Sequence, residues 1–170
     1  PSASYAARDF AWRLSTATVT VAESAFTSLP GFHRLLMVLE GEMYLEHEGY
    51  HQVTLLPFEQ DSFSGSWLTH CAGTGRDFNL MLAEGWRGRL QAISLAGQDS
   101  IPASELMPDA VEALYCLSGQ VLINLLLDGR ELLLGEGDLL LVKAGQLASQ
   151  KILITADSYT ELIRASIWRE

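Results

Sequence analysis

Asp77 and Asn79 stand two apart in the segment Asp77-Phe78-Asn79-Leu80-Met81. Residues two apart on a strand share a face. A carboxylate and an amide would therefore project together, while Phe78 and Leu80 turn the other way. Such a pair suits the wall of a pocket; an exposed strand face or a turn-capping aspartate would give the same letters. Arg13 and Ser15 alternate in the same manner with Trp12 and Leu14. A guanidinium beside a hydroxyl is a donor pair that can complete an anion site. Trp12 and Phe10 read as core.

The four histidines are His33, His47, His51 and His70, and none follows. Zinc and transition metals need several nitrogen, sulfur or carboxylate ligands converging on one point. Nothing in the spacing requires this, and His47 and His51 lie on opposite sides of a turn. They read as solvated or locally hydrogen-bonded imidazoles, so no metal and no cofactor is expected. Cys71 follows His70, but neighbours on a strand point to opposite faces, which separates a nucleophile from its base. There is no nucleophile elbow at Gly65 or Gly41. Gly135-Glu136-Gly137-Asp138 is too short for a dinucleotide loop, and no helix follows it. No catalytic assembly is read from the sequence.

The chain has 170 residues, a formal charge of -10, 48% hydrophobic and 19% charged residues. That composition excludes a disordered chain. The acidic balance, with a pI near 4.7, argues against nucleic acid and against an anionic membrane surface. No apolar run is long enough to span a bilayer. Two cysteines, Cys71 and Cys116, are too few for a disulfide framework and read as buried thiols in a reducing compartment. A cytoplasmic protein is expected. The chain starts at Pro1 rather than Met, and an N-terminal piece ahead of it is expected.

The elements that must position these residues are strands. Short β-rich runs cover 12–21, 34–40, 43–48, 51–56, 78–82, 90–95, 113–117, 121–127, 131–134, 139–142, 152–155 and 160–167, with turn signals between them. Only 102–110 suggests a helical turn. The series predicts an all-β barrel or sandwich. A repeat adds to this. Leu36-Met37-Val38-Leu39-Glu40-Gly41-Glu42 reads like Leu114-Tyr115-Cys116-Leu117-Ser118-Gly119-Gln120, an offset of 78. At the same offset Leu55 falls on Leu133 and Gln60 on Asp138. The period is too long for a solenoid unit and fits a duplicated small barrel. Two halves, 1–98 and 99–170, are expected.

Leu39-Glu40-Gly41 ahead of an alternating strand, and later Gly135 to Val142, resemble the cupin superfamily. Two further stretches are more specific. Phe10 to Val19 leads into Phe26-Thr27-Ser28-Leu29-Pro30-Gly31-Phe32-His33-Arg34. Phe63-Ser64-Gly65 is then followed by Gly73 and Asp77 to Met81. Together they resemble the HutD/Ves family of cupin-like proteins linked to bacterial histidine utilisation, over nearly the whole chain. The family carries a Trp-Lys-Asn-Gly-Gly-Gly segment before the first strand, absent here, and Gly-Asp where this chain has Gly65-Ser66.

The resemblance implies two double-stranded β-helix barrels forming a bicupin, and a homodimer through edge strands. It also gives Arg34 its interest. Metal-binding cupins place a glutamate seven positions before the strand-ending glycine, and here that position holds Arg34. The histidines that would accompany it are missing near 27–30. In the second half Glu112 matches the glutamate, but 105–108 and Ala148 supply no histidine. An arginine inside a barrel must be paired or must await an anion, and its planar fork suits a carboxylate. Internal pairing with Glu112, Asp77 or another acid is the competing reading. The function implied is metal-independent binding of a small carboxylate by Arg34, Asp77, Asn79, Arg13 and Ser15. The ligand class is urocanate or a formimino or formyl derivative of glutamate, and the role is to sense intermediates of histidine catabolism. The alternatives are a metal-free cupin isomerase or hydrolase acting on a similar acid, and a stress-associated interaction protein whose pocket is filled by Trp12 and Met81.

Overall fold

The computed structural model describes residues 6–20, 23–102, 110–124, 131–143 and 151–170. The chain divides into two compact units, one through Trp86 and one from Arg87. Residue 98, the boundary expected from the sequence, falls inside a strand. Both units are all-β, and no helix occurs among the described residues. None is therefore long and apolar enough to cross a membrane. The helical turn expected over 102–110 falls mostly on 103–109, outside the described residues.

The first unit is one six-stranded sheet. Its strands are β1 (Trp12–Val19), β2 (Glu23–Ala25), β3 (Phe32–His47), β4 (His51–Leu55), β5 (Gln60–Ser64) and β6 (Thr69–Ala83). The main path runs β1-β6-β3-β4, with β2 paired to β6 and β5 to β3. All these pairs are antiparallel. β7 (Trp86–Pro102) begins at the last residue of the first unit and joins β8 (Val111–Ser118), β9 (Gln120–Asn124), β10 (Glu131–Gly135), β11 (Leu139–Lys143) and β12 (Lys151–Arg169) in the second. Its path is β10-β9-β12-β8-β11, with β7 on β12.

The repeat is carried by a shared irregularity. On β3, Val38 faces Asp77 and Glu40 faces Arg76, leaving Leu39 as a bulge. On β8, Cys116 faces Leu162 and Ser118 faces Glu161, leaving Leu117 as a bulge. Leu39 and Leu117 are the same position at the offset of 78. An extra residue reverses which side chains face inward. Along β3 the buried inward set is accordingly Arg34, Leu36 and Val38 before the bulge, then Met43, Leu45 and His47 after it.

A glycine follows each bulge because no side chain fits there. Gly41 and Gly119 both have φ +80, and a Cβ would run into the Thr74 carbonyl oxygen at one and the Thr160 hydroxyl and Tyr159 carbonyl at the other. β3 therefore continues through Gly41 rather than ending at it, as the sequence suggested.

Each unit has its own core. In the first, Leu36, Val38, Met43, Leu45, Leu55, Phe63 and Cys71 form one cluster, and Phe10, Leu29, Phe32 and Met81 another. In the second, Leu114, Cys116, Val121, Ile123, Ile152, Ile154 and Leu162 belong to one cluster.

Candidate functional site

β1, β6 and β3 lie side by side, and their register sets the site. Arg13 faces Met81 and Met81 faces Arg34; Ser15 faces Asn79; Ala17 faces Asp77. Residues in register on neighbouring strands share a face. The five site residues expected from the sequence therefore lie on one face of the first sheet, in three consecutive rows.

Arg34 is 3% exposed, Asp77 2% and Asn79 3%, whereas Arg13 and Ser15 are half-buried. The Arg34 guanidinium carbon lies 4.5 Å from the Phe26 ring centroid and 5.3 Å from that of Phe63. The two rings, 6.1 Å apart and edge-on to one another, both lie against an always-charged, weakly hydrated group in a dry setting. Phe26 is held there by its backbone N–H, which donates to the Thr69 carbonyl at 3.0 Å. Burial pushes the Asp77 carboxyl up to about 6, against the downward pull of Arg34. Asn79 Oδ1 is buried and accepts no hydrogen bond among the described residues. Arg13 Nη1 donates to Ser15 Oγ at 2.7 Å and approaches Met81 Sδ at 4.0 Å.

In the second unit Glu112 is fully buried and accepts from Arg164 Nε and from Ser166 Oγ, each at 2.8 Å.

His47 and His51, expected as solvated or locally hydrogen-bonded imidazoles, are hydrogen-bonded to one carboxylate. His47 and His51 face each other across the β3–β4 turn. Their Nε2 atoms lie 2.8 and 3.0 Å from the same oxygen, Oδ2 of Asp61 on β5. Their ring centroids are 4.5 Å apart. His47 is buried, and its Nδ1 shares a hydrogen bond of 2.8 Å with Thr69 Oγ1. Burial lowers the His47 pKa more than Asp61 raises it, so the ring is neutral near pH 7. Phe63 lies against His47 at 4.4 Å and Trp67 at 5.6 Å. His70 is exposed beside Glu48 at 3.1 Å while Cys71 is buried. The two point to opposite faces, as strand alternation requires.

A model of the HutD family matches residues 1–161. The chain belongs to the HutD family. That family is associated with the histidine-utilisation locus. HutD from Pseudomonas fluorescens SBW25, solved in a formate condition, is similar at 25% identity and TM-score 0.72, over 99% of this chain and 85% of that one. A conserved protein of unknown function from Pseudomonas aeruginosa PAO1 is 29% identical at TM-score 0.79, over 95% and 84%. An uncharacterised 21.2 kDa protein in the hutC 3' region of Pseudomonas putida is 39% identical over 87 residues. That match spans 48% of this chain and 45% of the relative. AerE from Microcystis aeruginosa, at 13% identity and TM-score 0.66, shares the fold alone.

Within this HutD-family chain, sequence reasoning found the residues of the Arg34 face and missed those that frame it. Phe26 and Phe63 entered only as part of the family resemblance, and Asp61 was not singled out, because a strand over 60–64 was not foreseen. The one available signal was symmetry: three residues, Glu48-Gly49-Tyr50, separate His47 from His51. The turn expected between them, centred on Gly49, places the two histidines opposite one another rather than apart.

Proposed function

We propose that this HutD-family chain binds a small carboxylate in its first unit and acts as a sensor in histidine catabolism. Each unit would close as a cupin-like barrel, making the chain a bicupin. The carboxylate would sit against Arg34, with Arg13 and Ser15 contributing from the neighbouring strand, and no metal is needed for this contact. The observation that carries the reading is a buried guanidinium on the same face as a buried, unsatisfied amide oxygen at Asn79. An oxygen of that kind calls for a donor. The fitting ligand therefore has a carboxylate at one end and an N–H at the other. Urocanate, with its imidazole, and formyl- or formiminoglutamate, with an amide-type N–H, meet both demands. A charge-assisted hydrogen bond contributes roughly 1.5–3 kcal/mol, so a few such contacts reach micromolar affinity.

Calorimetric titration tests this. Urocanate or formylglutamate is expected to bind in the micromolar range, acetate far more weakly, and Arg34→Ala to abolish the heat. No heat from any of these acids, or binding indifferent to Arg34, overturns the reading.

One observation favours a second reading, a metal-free enzyme. Asp77 titrates near neutrality at about 6, where a carboxyl can give and take a proton at working pH. Consumption of the bound acid, lost in Asp77→Asn with binding retained, would decide for catalysis over sensing.

A further inference from the structure

We propose that His47 Nε2, His51 Nε2 and Asp61 Oδ2 form a binding site for a divalent transition ion of the zinc type. These atoms all lie within 4.8 Å of one another. Both imidazole nitrogens already point at one carboxylate oxygen, at 2.8 and 3.0 Å. In a tetrahedral site with metal–ligand bonds of about 2.0–2.2 Å, ligand atoms stand about 3.3 Å apart. The ion would require movements of only a few tenths of an ångström from each contact with Asp61.

The site differs from the cupin metal positions discussed above, which hold Arg34 in this unit. It uses residues beyond Gly41, on a hairpin, and it does not enter the carboxylate contact at Arg34. Three strands fix it. His47 and His51 are cross-strand partners on β3 and β4, and Asp61 stands on β5, itself paired with β3 at Leu36.

The surroundings suit a metal. Ligating histidines usually hold their second nitrogen with an outer partner, which fixes the ring and its tautomer. Thr69 does this for His47: it is 1% exposed and 2.8 Å from Nδ1. A hydroxyl accepts from Nδ1–H when Nε2 is metallated, and it donates to Nδ1 when Nε2 carries the proton. Thr69 therefore serves both states by rotating its own O–H. Two imidazoles and a carboxylate form a borderline ligand set that favours zinc, and the same trio suits ferrous iron. A fourth position remains on the solvent side, where a shallow groove of about 380 Å³ is lined by Tyr50, His51 and Gln52. Trp67 packs edge-on against both imidazoles, with Tyr50 stacked on it at 3.8 Å.

The test uses the full chain, stripped with chelator and titrated with zinc chloride. One ion per chain is expected, and cobalt in its place should give the visible bands of a four-coordinate site. His51→Ala and Asp61→Asn should remove both the tight zinc binding and the cobalt spectrum. His51 is 40% exposed at its side chain, so its loss spares the fold, which circular dichroism verifies. Thr69→Val keeps the shape and removes the outer hydroxyl; it should weaken zinc by about 10–100-fold. His33→Ala and His70→Ala should leave binding intact. The proposal is overturned if the wild type binds no zinc, if His51→Ala and Asp61→Asn bind as the wild type does, or if binding follows His33 or His70 instead.

Discussion

Arg34 and Glu112 occupy the same position in the two halves of the chain and carry opposite charges. Each is buried on the strand before the bulge, 78 residues apart. Their diagonal neighbours on the next strand are also equivalent. Leu36 faces Asn79 in the first unit, and Leu114 faces Arg164 in the second. The second unit fills this diagonal with an acid–guanidinium pair. The first replaces the acid by a guanidinium and the guanidinium by an amide. The duplicated frame thus gives one closed ion pair and one face suited to an external anion.

The closed pair is expected to serve stability alone. Arg164→Met would leave Glu112 buried with only Ser166 among the two contacts described above, and removing one partner of a buried ion pair costs about 3–5 kcal/mol. Chemical denaturation should show that loss. The double variant Glu112→Leu with Arg164→Met should recover much of it, because no charge is then stranded. At a temperature where Arg164→Met is folded, its affinity for urocanate or formylglutamate should match the wild type, in contrast to Arg34→Ala.

The raised pKa of Asp77 sets a pH dependence with a definite sign. Its value in the folded protein, about 6, lies above the ordinary 3.8 because burial penalises the charged form. For an acid shifted upward, the stabilising contribution is present at pH below the unfolded value and is lost as pH rises through about 6. Melting temperature relative to Asp77→Asn should therefore fall between pH 5 and 7.5. Ligand affinity should follow the same sense. Protonation of Asp77 removes a negative charge beside the incoming carboxylate, which itself stays ionised above about pH 4. Affinity is expected to rise roughly tenfold from pH 7.5 to 5.5, and Asp77→Asn should flatten the profile. An affinity that falls over this range in the wild type would refute the assignment.

The outer framework was legible because it rests on local signals. Period-two alternation placed Arg13 with Ser15 and Asp77 with Asn79, and register then put all four on one face with Arg34. The repeated Leu-x-Gly signal marked equivalent bulges. What stayed hidden depends on contacts distant in sequence. Gln60-Asp61-Ser62-Phe63-Ser64 has a single apolar residue, since Asp61 takes an inward place that a hydrophobe would normally fill; no pattern announces β5. The meeting of Asp61 with His47 and His51 arises because β3 is long enough to pair with β5 at one end and β4 at the other. Gly41 read as a strand end, because the loss of a side chain to a crowded crossing looks the same in sequence as a turn. The Glu112–Arg164 pair spans 52 residues and has no sequence signature.

The bulge glycines yield the last prediction, which separates backbone conformation from crowding. Gly31 and Gly41 have nearly the same φ, +84 and +80. An added Cβ at Gly31 would meet nothing within 4 Å, whereas at Gly41 it would collide with the Thr74 carbonyl and lie 2.8 Å from Gly75 Cα. Gly31→Ala should therefore cost only the left-handed backbone penalty, about 1–2 kcal/mol. Gly41→Ala adds a clash with backbone atoms that cannot rotate away, so β3 and β6 must separate at their crossing. Its cost should exceed that of Gly31→Ala by at least about 1–3 kcal/mol. Because the crossing lies two rows from Asp77, Gly41→Ala should also weaken carboxylate binding while Gly31→Ala leaves it unchanged. Urea denaturation paired with calorimetric titration of both variants checks the two halves of this expectation. Equal destabilisation by the two substitutions would show that β3 and β6 do not meet as closely as the structure has them.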